Sequence, residues 1–73
     1  MPLTNTASND AYNEGQALRA LRKGAGLSLD NLAAAAGCSP SYLSRFENGD
    51  VKPTAKWKRK TLVALVGAMR TAA

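Results

Sequence analysis

Few side chains in this sequence could carry acid–base, nucleophilic or metal chemistry. It contains no His, a single Cys at position 38 and five acidic residues. His is the commonest general base and a frequent metal ligand, and one thiol makes neither an internal disulfide nor a thiolate-rich zinc site. We therefore expect no catalytic residue, no metal, no cofactor and no small-molecule ligand, and the chain is not predicted to be an enzyme.

Basic side chains are more informative, because ten Lys and Arg give this 73-residue chain a formal net charge of +5. Residues 1–17 carry two acids and no basic residue. Residues 51–73 carry no acidic residue and six basic ones: Lys52, Lys56, Lys58, Arg59, Lys60 and Arg70. This surplus favours an anionic partner: nucleic acid, an acidic protein or an anionic membrane surface. The alternative is that the charge only keeps the protein soluble.

The elements that must position these side chains are predicted to be helices in one small domain, with no strand. A first helix is predicted to follow a cap at Ser8 or Asn9 and to end at the glycines of residues 24–26. Its inner stripe is predicted to comprise Gly15, Leu18, Leu21 and Arg22. We expect residues 1–9 to form a flexible tail and residues 10–73 to form the domain.

Two short helices follow, each preceded by a capping serine. Ser28 opens the second helix and Gly37 ends it, while Ser39 and Pro40 open the third, which ends at Asn48 and Gly49. The predicted inner faces are Leu29, Leu32, Ala33 and Ala36 on the second helix, and Leu43 and Phe46 on the third. Two helices joined by so few residues are typical of a helix-turn-helix, here residues 28–48.

A fourth helix is predicted to open at Pro53 and Thr54. Its predicted inward residues are Trp57, Leu62, Leu65, Val66 and Met69, and its mostly outward residues are Lys56, Lys58, Arg59 and Lys60. The predicted fold is therefore all-α, a compact bundle of four to five short helices. No apolar run is long enough to cross a bilayer, and residues 1–17 show no targeting pattern. A cytoplasmic location is expected, in a bacterial host cell if the source is a phage or a bacterium.

Residues 18–53, about half of the chain, carry a pattern more specific than any single motif. It consists of Leu18, Leu21-Arg22-Lys23, Gly26-Leu27-Ser28, Leu32-Ala33, Ala36-Gly37, Ser39, Leu43, Phe46-Glu47-Asn48-Gly49 and Pro53. On these residues the sequence resembles the helix-turn-helix domains of phage Cro and repressor proteins, the XRE-like family. The resemblance implies a lambda-repressor-like fold that binds double-stranded DNA, with the helix of residues 39–48 in the major groove.

The resemblance also implies roles for individual residues. The residues expected to read bases are Pro40, Ser41, Ser44 and Arg45. Arg45 is the strongest candidate, because a guanidinium can donate hydrogen bonds to both N7 and O6 of a guanine. The phosphate-binding residues are Ser28, Leu29, Tyr42, Asn48, Lys52 and Lys56. Leu29 stands where the family commonly has Gln, so at this helix start the contact would come from backbone N–H groups. A structural ion pair between Arg22 and Glu47 is implied as well.

Together these features predict a sequence-specific transcriptional regulator, similar to a small phage Cro or repressor protein that occupies operator sites. A homodimer formed on a near-palindromic operator is expected, with the last helix as the candidate pairing surface. The alternative is a protein-interaction module on the same fold, antitoxin-like or coactivator-like. A membrane-surface peptide that uses the basic last helix is not expected, because the apolar residues of that helix are needed to close so small a core. For residues 56–60 both a solvated face and a contact with the DNA backbone stay open, and Trp57 and Cys38 are expected to pack.

Overall fold

The computed structural model describes residues 7–71, and the side chains of residues 10–70, as four helices joined by short turns. The helices are α1 (Ala7–Gly24), α2 (Leu29–Ala36), α3 (Pro40–Glu47) and α4 (Ala55–Thr71). No strand occurs within this part of the chain, so the predicted all-α fold is confirmed with four helices. Helix α2 packs on both α3 and α4, and α1 packs on α3.

Helix α1 begins earlier than predicted. It starts at Ala7, so residues 7–9, which we assigned to a flexible tail, belong to the helix. Ala is the strongest helix former, and the Asp10 carboxylate lies in the first turn, where the positive end of the helix dipole favours it. The rest of the predicted tail, residues 1–6, lies outside the described residues.

The two capping serines act as predicted. The Oγ of Ser28 accepts a hydrogen bond from the backbone N–H of Asn31 at 3.0 Å. The Oγ of Ser39 accepts one from the N–H of Tyr42 at 3.1 Å. Each serine thereby satisfies one of the free N–H groups at the start of its helix.

The turn between α2 and α3 depends on Gly37, whose φ of 72° lies in the left-handed region. This conformation lets the N–H of Cys38 bond to the carbonyl of Ala33 at 3.0 Å. The chain then leaves α2 sharply and reaches the Ser39 cap after two residues. The predicted helix-turn-helix of residues 28–48 is therefore present.

The hydrophobic core lies where α2 meets α3 and α4. It consists of Leu18, Leu32, Ala33, Leu43, Phe46 and Leu65. Ala33 is fully buried, and its small side chain allows α2 to approach its neighbours closely. Thr61 of α4 is also buried, and its hydroxyl donates to the carbonyl of Trp57 at 2.9 Å.

Four residues predicted to point inward are instead exposed. Their exposed fractions are 48% for Leu21, 46% for Leu62, 47% for Val66 and 43% for Met69. Helix α1 packs on α3 and helix α4 packs on α2, but α1 and α4 are not a closely packed pair. Leu21 of α1 and the side of α4 that carries Leu62, Val66 and Met69 therefore remain uncovered. Leu29 and Trp57 are half-buried at the edge of the core.

The expected ion pair between Arg22 and Glu47 is present and buried. The Arg22 Nε and Nη2 donate to the two carboxylate oxygens of Glu47 at 2.8 and 3.0 Å. Its Nη1 donates to the carbonyl of Leu27 at 2.9 Å. The hydrogen bond with Glu47 raises the pKa of Arg22, against the opposing effect of burial. One guanidinium therefore joins α1, the loop before α2 and the end of α3.

Gly15 permits the close approach of α1 to the same end of α3. A Cβ at this position would overlap the Phe46 carbonyl oxygen and lie 2.7 Å from the Glu47 carbonyl oxygen. One residue further on, the Gln16 amide donates to the Glu47 carbonyl at 2.8 Å. Both the side chain and the backbone of Glu47 are thus held by α1.

We expect Glu47→Ala to lower the free energy of unfolding by about 3–5 kcal/mol, because it leaves the buried guanidinium of Arg22 without its carboxylate. Chemical denaturation measures the loss. The matched control is Glu14→Ala, which removes the half-exposed pair with Lys58 and should cost less than about 1 kcal/mol. Equal losses for the two variants would contradict the role given to the buried pair.

We expect Gly15→Ala to lower the free energy of unfolding by about 1–3 kcal/mol, because the new methyl group forces α1 away from α3. Gly67 also lies within a helix, but a Cβ at that position would meet no atom within 4 Å. Gly67→Ala should therefore raise stability by about 0.5–1 kcal/mol through helix propensity. Thermal melts of the two variants check the difference, and a stabilised Gly15→Ala would refute the close approach.

Candidate nucleic-acid interface

The outer face of α3 is the part of the helix-turn-helix left open to a ligand. Pro40, Ser41 and Arg45 are exposed and Ser44 is half-buried, while Leu43 and Phe46 on the other face are buried. The helix has only eight residues, and it begins at the Ser39 cap. Because its inner face is packed in the core, this short helix presents its outer face in one orientation.

Arg45 is the cation on this outer face. Its side chain is exposed, and among the described residues no carboxylate lies within ion-pair distance of it. Its backbone carbonyl accepts the N–H of Asp50 at 2.8 Å, which helps to close the end of α3. The guanidinium is therefore available to an anionic or hydrogen-bonding partner, while its backbone is fixed.

Tyr42 lies at the side of α3 in an aromatic cluster. Its ring meets Trp57 edge-on, with ring centroids 5.2 Å apart and an interplanar angle of 78°. Phe46 contacts the same indole at 5.2 Å and 64°. Such edge-to-face contacts are favourable beyond their buried area. Trp57 thus attaches the start of α4 to the side of α3, and Tyr42 is half-buried there.

The N-terminus of α2 offers backbone groups and few side chains. Ser28 is exposed, but its Oγ is engaged in the cap with Asn31. Leu29 packs against the core, so only its backbone is free to contact a phosphate. Asp30 is exposed in the same first turn, and its charge would oppose an anion there.

The remaining predicted contacts lie between the end of α3 and the start of α4. Asn48, Lys52 and Lys56 are all exposed. The Asn48 N–H bonds to the carbonyl of Ser44 at 3.1 Å, which holds its backbone at the end of α3. Thr54 caps α4 by accepting the N–H of Trp57 at 3.1 Å. Lys52 and Lys56 therefore stand on either side of a capped helix start.

One member of the basic run behaves differently from its neighbours. Lys58, predicted to point outward, is half-buried and its Nζ lies 3.0 Å from a carboxylate oxygen of Glu14. The two residues are 44 positions apart, so no local pattern indicated the pair. Lys56, Arg59 and Lys60 are exposed, as predicted.

Cys38 lies in the turn between α2 and α3 and packs against the core, in line with the role expected for it. Burial raises the pKa of its thiol, and the charge of Lys60 opposes the rise. At neutral pH the side chain is therefore a thiol rather than a thiolate.

Residues 7–71 hold no group of three or more Cys, Asp or Glu arranged to bind a metal ion. Within the same range, no helix combines the length and the apolar character needed to cross a membrane.

Comparison with known proteins gives one family and one solved structure. The helix-turn-helix domain family matches residues 15–72 of the chain. The crystal structure of the clp gene regulator ClgR from C. glutamicum is similar to this fold, with a TM-score of 0.75 and 26% sequence identity. The similarity covers 99% of this chain and 94% of that one. The comparison with curated proteins gives no match.

We expect alkylation of Cys38 to be slower in the folded protein than in the urea-unfolded chain at neutral pH, because burial raises its pKa and reduces the thiolate fraction. The rate measured against pH should show a higher midpoint in the folded state. Lys60→Gln should raise that midpoint further, and Lys56→Gln serves as the control. A lower midpoint in the folded protein would be incompatible with this environment.

Proposed function

Since the chain belongs to the helix-turn-helix domain family, we propose that it is a transcriptional regulator that binds double-stranded DNA sequence-specifically, with α3 in the major groove. The observation that carries the proposal is the outer face of α3, where Ser41 and Arg45 are exposed on a helix held by the core and by its cap. The major groove of B-DNA admits a helix and displays a distinct set of donors and acceptors for each base pair.

Arg45 is the proposed principal base reader. Its guanidinium is exposed and unpaired among the described residues, so it can donate two hydrogen bonds to N7 and O6 of one guanine. Ser41 lies one helical turn before it on the same face, and Pro40 and Ser44 flank the pair. The serines both donate and accept, so they add contacts with little preference among bases, and Pro40 offers only an apolar surface to a thymine methyl group.

Phosphate contacts are proposed to come from two sides of α3. On one side are the backbone N–H groups after Ser28 at the start of α2, where a helix N-terminus favours an anion. Asp30 opposes the phosphate in that turn, so Lys52 and Lys56 on the other side take a larger share. Asn48 and the hydroxyl of Tyr42 complete the proposed set. These contacts supply most of the affinity and set the register, but they do not read sequence.

Regulation of a gene is supported by the structural similarity to ClgR, which is described as a regulator of clp genes. The finer proposal is that this protein occupies operator sites in the manner of a small Cro or repressor protein. Two copies would then bind a near-palindromic operator with half-sites about one helical turn apart.

We expect Arg45→Ala to remove the base preference at one base pair of the selected site. The difference in binding free energy between the preferred base and another base there should fall by about 1–3 kcal/mol. Lys52→Ala should weaken binding to all DNA sequences by a similar factor. It should also reduce the slope of log affinity against log salt concentration by about the share of one phosphate contact. Selection from a random DNA pool, followed by titration of the best site at two salt concentrations, measures both effects. Arg19→Ala removes an exposed charge of α1 outside the proposed contacts and is the matched control.

Three results would contradict this assignment. If both Arg45→Ala and Lys52→Ala weakened binding to all DNA sequences equally, Arg45 would read no base. Steep salt dependence without a preferred sequence would indicate a non-specific DNA-binding protein. Unchanged function with both Ser41→Ala and Arg45→Ala would favour the protein-interaction module.

A further inference from the structure

Lys60, in the basic run of α4, reaches the helix-turn-helix itself. Its Nζ lies 3.5 Å and its Cε 3.9 Å from the position that a Cβ would occupy on Gly37. The next residue, Cys38, is within range of the same charge: burial raises the pKa of its thiol, and the Lys60 ammonium lowers it in part. Although its side chain is exposed, Lys60 therefore extends from α4 to the turn between α2 and α3.

This turn is the end of α2, and α2 brings no cation of its own to that end. The last turn of α2 contains no basic residue, since residues 33–36 are four alanines. The aligned peptide dipoles of a helix leave a partial negative charge on its last carbonyl groups, and a cation there is stabilising. The ammonium of Lys60, which comes from a different helix, lies where α2 favours a positive charge.

The backbone of the turn gives the ammonium room to approach. The N–H of Gly37 bonds to the carbonyl of Ala34 at 3.3 Å, and the N–H of Cys38 bonds to that of Ala33 at 3.0 Å. Both bonds follow from the left-handed conformation of Gly37, which ends the helix. Because residue 37 has no side chain, the end of α2 is open on the side from which Lys60 arrives.

We propose that Lys60 is a positioning residue for α3, whose ammonium neutralises the negative end of α2 and stabilises the turn from which α3 begins, without touching DNA. Only residues 37–39 separate α2 from α3, so the order of this turn sets the direction of α3. The consequence for DNA binding rests on the proposed function, whereas the stabilisation of the turn does not depend on it.

This role separates Lys60 from the other basic residues of its run. Lys58 is paired with Glu14, and Lys56 lies beside the capped start of α4, where a phosphate contact is proposed. Arg59 is exposed like Lys60 and precedes it in sequence, but it points about 100° away around the helix. Arg59→Gln is therefore the matched control for Lys60→Gln, because both variants remove one exposed positive charge from adjacent positions.

Thermal melts of the full chain test the stabilisation. We expect Lys60→Gln to lower Tm by about 2–6 °C, which is the effect of one helix-end charge in a domain of this length. Arg59→Gln should lower Tm by less than half as much, because its charge lies away from the end of α2. Equal losses of Tm in the two variants would overturn the proposal.

A cation returned to the same helix end tests whether the charge of Lys60 is what matters. Ala35 is exposed in the last turn of α2, so Ala35→Lys supplies the positive charge from α2 itself. In the Lys60→Gln background it should restore most of the lost Tm. In the Arg59→Gln background it should raise Tm less, because Lys60 already lies at that end. No rescue of Lys60→Gln would refute the role of the charge.

Amide hydrogen exchange measures the order of the turn directly. The N–H of Cys38, which bonds to Ala33, should exchange about two- to fivefold faster in Lys60→Gln. The N–H of Asn31, at the capped start of α2, should keep its rate relative to the wild-type chain. An unchanged rate at Cys38, or an equal acceleration at both amides, would contradict a local effect on the turn.

Titration of the selected DNA site tests the consequence for α3. Lys60→Gln should weaken binding by about two- to fivefold, the factor by which the charge favours the ordered turn. The slope of log affinity against log salt concentration should stay unchanged, because no phosphate contact is lost.

The DNA titration has two outcomes that would overturn the positioning role. A slope that falls by about 0.9 would show that Lys60 contacts a phosphate. An unchanged affinity would show that Lys60 does not position α3. A wild-type chain that binds no DNA would contradict the proposed function, and the melts and the exchange rates would then decide the role of Lys60 at the end of α2.

Discussion

The buried pair of Arg22 and Glu47 is the interaction on which the rest of the structure depends. Three nitrogens of one guanidinium bind both carboxylate oxygens of Glu47 and the carbonyl of Leu27. Both side chains are more than nine-tenths buried, so either one alone would leave an uncompensated charge in the domain. The pair sets the position of α1 against the end of α3, where Gly15 leaves room for the contact.

Helix α3 is useful for recognition only because other elements hold it. A helix of eight residues is not stable alone, since too few hydrogen bonds offset the cost of its first turn. Its start is fixed by the Ser39 cap and the turn at Gly37, its end by Glu47, and its side by Trp57. The outer face, with Ser41 and Arg45, is thus presented rigidly, and little ordering entropy remains to be lost when a ligand binds.

Basic and apolar side chains are both exposed on this domain. Exposed basic residues lie on α3, on the segment after it and at the start of α4, at Arg45, Lys52 and Lys56. Exposed apolar residues lie along the later part of α4, at Leu62, Val66 and Met69, and on α1 at Leu21. Charge acts on a polyanion over the Debye length, whereas apolar contact acts only where surfaces meet and exclude water. The charged and the apolar exposed side chains of this domain therefore interact with their surroundings over different ranges.

Features that depend only on neighbouring residues could be predicted from the sequence: the caps at Ser28 and Ser39, the turn at Gly37 and the breaks between the helices. The hydrogen bonds of a cap or a left-handed turn join residues no more than five positions apart, so their signal is local. The family resemblance indicated the pair of Arg22 and Glu47. Which part of each apolar stripe is covered depends on how the helices pack, and the sequence did not reveal it. Periodicity placed Leu62, Val66 and Met69 on one side of α4, but α1 packs on α3 and leaves that side open. The pairing of Glu14 with Lys58 likewise depends on the fold, because the two residues are 44 positions apart in the sequence.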